Sequence, residues 1–296
     1  MIIRRTFEEQ LSELQNDLLR LGRFVEEALD KSIDALVRQD LALAKQVVAE
    51  DDFADDMTTG IQTRTMQLLA LQQPMARDLR FVGASMRITV DLERIGDHAT
   101  AIAKVTRRLA GQSYFKPLVD VPRLGEMARQ MVGDALRAFI NHDTTLAYQV
   151  AGDDDAVDDL CDVLQRELMD KMREDPTLVE QATQLLLVAR ALERVGDHAT
   201  NIVENIYYVE TGVMRPLARE AHAEHKAAHK AAREEQEKRQ QAGEEADGLS
   251  VRELEEKQLE HTTRRSPLHP DLPAIAEPLH EPLHEPDGHN PPPSGH

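Results

Sequence analysis

Leu92-Glu93-Arg94-Ile95-Gly96-Asp97-His98-Ala99-Thr100 returns as Leu192-Glu193-Arg194-Val195-Gly196-Asp197-His198-Ala199-Thr200, one hundred residues downstream with a single change, Ile to Val. Each copy holds a Glu and an Asp four residues apart. On a helix such a pair shares one face, with Cβ atoms about 5–6 Å apart. Together the two side chains offer up to about four carboxylate oxygens to one hard cation. The rest of the chain reads as a frame that brings these pairs into place.

Outward from the phrase, apolar residues keep a helical period. Leu11, Leu14, Leu18, Leu21, Val25 and Ala28 alternate three and four apart, so an amphipathic helix is expected from Phe7 to about Arg38. A second is expected over Leu41–Leu71, until Pro74 breaks the pattern. A third, from about Met75 to Leu109, carries the first copy and ends before Gly111. The order then repeats. Pro122 opens a fourth helix, Thr144 a fifth, and Asp175-Pro176 supplies a cap and a first-turn proline for a sixth that runs to Gly212. Asp51-Asp52-Phe53-Ala54-Asp55-Asp56-Met57 also parallels Asp154-Asp155-Ala156-Val157-Asp158-Asp159-Leu160, at an offset of 103. Two tandem three-helix units, about 7–112 and 120–213, account for these repeats. The chain divides accordingly at 1–115, 116–215 and a polar, His- and Pro-rich tail, 216–296, expected to be largely disordered or partly helical. Residues 218–261 suit a solvated helix, and the composition after Ser266 suits disorder.

Composition agrees with an all-α fold. Across 296 residues, hydrophobic side chains make up 41% but aromatics only 3%, with no Trp, so the core is built from aliphatic residues that helices pack well. The formal net charge of −19 opposes a phosphate backbone or an anionic membrane surface and suits cations, so no nucleic-acid partner is expected. Cys161 is the only cysteine, which excludes an intrachain disulfide and fits a reducing compartment. The first ten residues lack the apolar run of a signal peptide, and no stretch approaches a membrane span. A cytoplasmic location is expected.

The candidate ligands are Glu93, Asp97, Glu193 and Asp197. Asp51 with Asp55, and Asp154 with Asp158, repeat the same spacing on the preceding helices. Carboxylate-only sites favour Mg, Ca or Mn, and bridging carboxylates also admit Fe or Zn, so the metal is divalent or trivalent and its identity is open. The competing reading is ion pairing on a solvated face, with Arg94 and Arg194 three residues before each Asp. His98 and His198 lie about 100° round the helix from the Asp beside them. They are expected to be exposed or to act outside the ligand shell. Gly96 and Gly196, each costly in mid-helix, imply the close approach of a neighbour. Neither a phosphate-binding G-x-x-x-x-G-K-[ST] loop, a G-x-S-x-G elbow nor an H-E-x-x-H pair is present, and Cys161 lies among apolar residues, so no enzyme is expected. The alternative is a carboxylate-bridged metalloenzyme or a metal-storage bundle.

The two phrases, together with Gln73-Pro74-Met75-Ala76-Arg77-Asp78-Leu79-Arg80 before the first, resemble the PhoU family over about residues 7–213. The second unit departs from that pattern, with Asp175-Pro176-Thr177-Leu178 in place of the arginine-bearing segment. The resemblance implies two three-helix bundles related by a pseudo-twofold axis, often as a homodimer. It implies metal at the E(D)xxxD motifs, here Glu93/Asp97 and Glu193/Asp197 with Asp51/Asp55 and Asp154/Asp158 beside them. It also implies an adaptor in phosphate homeostasis. Its partners would be the ATPase subunit of a phosphate ABC transporter and a phosphate-sensing histidine kinase, with the phosphate-starvation response repressed and the membrane reached only through those partners.

Overall fold

The computed structural model describes residues 2–227 and residue 231, with side chains from Phe7 onward. The disorder expected after Ser266 lies outside the described residues. Helices α1 (Ile2–Arg38), α2 (Leu41–Gln72) and α3 (Ala76–Arg108) form the first unit. Helices α4 (Asp120–Asn141), α5 (Thr144–Glu174) and α6 (Val179–Thr211) form the second, with a 3-10 turn at Pro176–Leu178 leading into α6. A further helix, α7, is described over 217–227. Among the described residues there is no strand, and no helix is long and apolar enough to cross a membrane.

The duplication reaches into the turns. Asp40 caps α2 by accepting from the amides of Ala42 and Leu43, and Asp143 caps α5 through Thr145 and Leu146. Each cap stabilises its helix by about 1 kcal/mol. The residue before each, Gln39 or His142, takes a left-handed conformation with φ near 55° and 54°. Two boundaries differ from expectation. Helix α4 begins at Asp120, with Pro122 inside its first turn, where the missing N–H has no helical partner to lose. Helix α3 stops at Arg108, and Gly111 (φ +77°) instead serves the loop beyond it.

Helices α3 and α6 lie against each other at the centre, α1 and α2 flank α3, and α4 and α5 flank α6. Leu92, Ile95, Ala99 and Ile102 of α3 and Leu192, Val195, Ala199 and Ile202 of α6 are buried in one continuous core with Leu14, Leu18, Leu21 and Val25 of α1. Burying each large aliphatic chain contributes about 1.5–3 kcal/mol. Where α1 meets α4, Gly22 accommodates Leu136 and Gly125 accommodates Ile33. A Cβ at either glycine would fall 2.4 or 2.5 Å from the inserted side chain. Gly22 and Gly125, like Ile33 and Leu136, are equivalent positions of the repeat, so this exchange is the pseudo-twofold relation expressed in packing. The sequence-predicted solvated tail differs at its start: Leu217 is fully buried and Ala221 nearly so, which docks α7 onto the second unit.

Candidate metal centre

In the second unit all four predicted residues lie within one electrostatic field. Burial pushes the Asp154 carboxyl up to about 7, with Asp158, Asp197, Asp155 and Glu193 adding to the rise. Burial likewise pushes Asp158 up to about 6, reinforced by Glu193 and Asp197. In the first unit, burial raises Asp51 above the ordinary carboxylate range. A hydrogen bond from Thr100 opposes that rise, while Asp97 and Asp55 add to it. Asp55 and Asp97 thus act on Asp51, and Glu93 is partly buried on α3.

Arginines compete for several of these oxygens. Arg94 pairs with Asp97 at 2.9 Å and Arg194 with Asp197 at 3.2 Å. Arg190 contacts both oxygens of Glu193, at 2.9 and 2.7 Å. These guanidinium groups are more than half exposed, a setting in which ion pairs hold weakly. Cys161, packed as expected, lies 3.4 Å from Glu193 Oε2, and burial pushes its thiol up to about 11. Among the described residues, no three His, Cys, Asp or Glu side chains already form a set able to hold an ion. The carboxylates form a patch rather than a closed coordination shell.

The two patches differ in their buried atoms. Thr100 Oγ1 donates to Asp51 Oδ1 at 3.1 Å. The equivalent atoms in the second unit, Thr200 Oγ1 and Asp154 Oδ1, are both buried without a hydrogen-bond partner. Thr200 is only 5% exposed. Both residues line a cavity of ≈ 670 Å³ with Asp197, His198 and Glu204. A buried oxygen without a donor is costly and signals a missing partner, and a cation among carboxylates would supply one. The second unit therefore fits a metal ion better than the first. The glycines divide in the same way. A Cβ at Gly196 would fall 3.1 Å from Asp154 Oδ1, so this glycine clears space for a carboxylate. At Gly96 the nearest atom would be Val25 Cγ1 at 3.4 Å, ordinary helix packing.

Of the two readings of the histidines, exposed or outside the ligand shell, exposure does not hold. Their rings face each other across the α3–α6 seam with centroids 5.6 Å apart. His198 Nδ1 lies 2.9 Å from Asp91 Oδ1, which also accepts from Asn201 at 3.2 Å. Ala191 stands where Asp91 would repeat, so His98 has no equivalent carboxylate. Burial, with His198 and Arg194 nearby, pushes His98 down to about 4. Sequence reading missed Thr100, Thr200 and Asp91. The threonines close each copy of the phrase, which was the available signal, and Asp91 had none because its role lies across the seam.

A duplicated three-helix scaffold with a carboxylate patch between the second and third helices of each half defines a helical protein without an evident catalytic nucleophile. The PhoU domain family model matches residues 18–106 and 121–206, one match in each unit. The phosphate-specific transport system accessory protein PhoU homolog of Clostridium acetobutylicum is 39% identical over 210 residues, covering 71% of this chain and 96% of that protein. The Aquifex aeolicus protein of the same name is 37% identical over 218 residues, covering 74% and 97%. The crystal structure of PhoU from Pseudomonas aeruginosa superposes with a TM-score of 0.68 at 35% identity, covering 70% of this chain and all of that one. The chain belongs to the PhoU family.

Proposed function

We propose that this protein is a metal-dependent regulatory adaptor of inorganic phosphate uptake. In this reading it sits in the cytoplasm as a homodimer, couples the ATPase subunit of a phosphate ABC transporter to a phosphate-sensing histidine kinase, and represses the starvation response. Membership of the family over both units carries the reading. The relatives' names, accessory proteins of a phosphate-specific transport system, support a regulatory role with no turnover. The unpartnered Asp154 and Thr200 oxygens beside Asp158, Glu193 and Asp197 support a divalent or trivalent ion, of the Mg, Mn, Fe or Zn type, in the second unit. Glu93, Asp97, Asp51 and Asp55 would hold its counterpart in the first.

A bound ion would offset the burial and the mutual repulsion that together raise Asp154 and Asp158, and would fix the α5–α6 surface for docking. The test is elemental analysis of untagged protein, followed by capture of the transporter ATPase and the kinase by wild type and by an E93Q/D97N/E193Q/D197N variant. Metal in the wild type and loss of capture in the variant are expected. Unchanged capture by a metal-free variant would reduce the protein to a purely structural adaptor.

A further inference from the structure

The chain leaves its two patches differently. After α3 it packs against helix ends: Gln39 Nε2 donates to Gln112 O, Tyr114 OH to Leu36 O, and the Phe115 amide to Gln181 Oε1. After α6 it turns at Gly212 (φ +78°) and comes back over the α5–α6 face as α7. Four contacts fasten α7 there. Glu204 accepts from the amides of Leu217 and Ala218, the orphan donors at the start of α7. Leu217 is fully buried. Arg215 lies over the Tyr207 ring, donates to its hydroxyl at 3.0 Å and pairs with Glu220. His222 Nδ1 and His225 Nδ1 lie 2.6 and 3.3 Å from the two oxygens of Asp155.

Pro216, Ala218 and Arg219 of this segment line the same ≈ 670 Å³ cavity as Asp154, Asp197 and Thr200. The family model stops at residue 206. The relatives, matched over 96% and 97% of their own length, account for only 71% and 74% of this chain. We infer that α7 is a wall of the second carboxylate site and controls how fast a divalent cation enters and leaves it, while the first site stays open. The inference rests on the metal reading above and extends it. The buried, unpartnered Thr200 hydroxyl in the cavity wall points to a ligand there.

A disulfide can lock the wall in place. A Cβ built on Gly152 lies 3.7 Å from the Ala221 Cβ, within the range of about 3.5–4.5 Å that a disulfide spans. Full-length G152C/A221C is loaded with Mn²⁺, chased with EDTA and followed by electron paramagnetic resonance. Oxidation is expected to slow one class of Mn²⁺ release by about tenfold or more, and dithiothreitol to restore it. The slowed class should vanish in an added E193Q/D197N background and survive in E93Q/D97N. Leu217→Asp, which undocks α7, should speed the same class. Release indifferent to oxidation and to Leu217→Asp would overturn the inference. Failure of either unit to retain Mn²⁺ would instead sink the metal reading. Carbodiimide labelling then decides on the wall: Asp154 should be labelled more slowly than Asp51, more so in the oxidised form and less so in Leu217→Asp, and equal labelling of Asp154 and Asp51 in every form would overturn it.

Discussion

Arg77 of α3 grips Glu210 near the end of α6, with Nε 3.2 Å from Oε2 and Nη2 2.7 Å from Oε1. His142, the left-handed residue after α4, adds its Nδ1 at 2.9 Å from the same carboxylate. Arg80, on the next turn, donates to the Val209 carbonyl from Nε at 3.1 Å and Nη2 at 3.0 Å. That carbonyl is among the last of α6 and has no helical donor of its own. The segment Pro74-Met75-Ala76-Arg77-Asp78-Leu79-Arg80 is therefore a clamp between the units. Arg80→Ala removes two charged donors and should destabilise by about 1–2 kcal/mol in urea unfolding. Arg77→Ala breaks a half-exposed ion pair and should cost less than about 1 kcal/mol. Equal losses would show that the pair and the carbonyl contact are not distinct.

The two mid-phrase glycines should respond oppositely to alanine. At Gly96 the new methyl meets Val25 at ordinary contact distance, so Gly96→Ala should be neutral or stabilising, by up to about 1 kcal/mol from helix propensity. At Gly196 it falls 3.1 Å from Asp154 Oδ1, so the carboxylate must move. Gly196→Ala should weaken Mn²⁺ binding by the second unit while the melting temperature changes by no more than about 4 °C. Isothermal titration beside thermal melts checks both. Unaltered Mn²⁺ affinity in Gly196→Ala would mean that Asp154 does not bear on the ion.

What the sequence made legible was whatever repeats locally. Helical period placed six long helices, and the doubled phrase marked both patches. What stayed hidden depends on contacts across the duplication. Periodicity placed His98 off the carboxylate face, yet only the α3–α6 crossing shows that this face meets His198. Nor can identical phrases reveal their own inequality. Thr100 has Asp51 for a partner and Thr200 has none, a difference set by side-chain placement. The docking of α7 was missed because one buried leucine, Leu217, and one small residue, Ala221, anchor a helix that is otherwise polar.

His98 gives the seam its own pH signature. Its folded pKa, near 4, lies below the usual histidine value of 6.5 because burial disfavours the charged ring. The unfolded chain therefore takes up a proton first as pH falls. The stabilising contribution is full above about pH 6.5 and is lost as pH drops towards 4. His98→Gln should make stability fall less steeply across that window. Nuclear magnetic resonance of the imidazole in the wild type should show His98 neutral at pH 5, and a midpoint near 6.5 would place the ring in solvent.

Asp154 and Asp158 act with the opposite sign. Their folded values, near 7 and 6, lie above the ordinary carboxylate value of 3.8, so the folded metal-free protein holds protons that the unfolded chain releases. Their contribution is complete below about pH 4 and is lost as pH rises through 6 to 7. Metal-free wild type should thus lose stability relative to D154N/D158N between about pH 5 and pH 8, by roughly 2–4 °C in melting temperature for each kcal/mol. A cation reverses the balance, because it binds the deprotonated pair and must displace those protons. Mn²⁺ affinity of the second unit should therefore climb steeply between about pH 6 and pH 7, with proton release visible as a buffer-dependent heat. At the first unit Thr100 offsets part of the rise at Asp51, so the climb there should be shallower. Parallel pH profiles for the two units, separated with E93Q/D97N and E193Q/D197N, would refute the inequality of the two patches on which the assignment of the second unit depends.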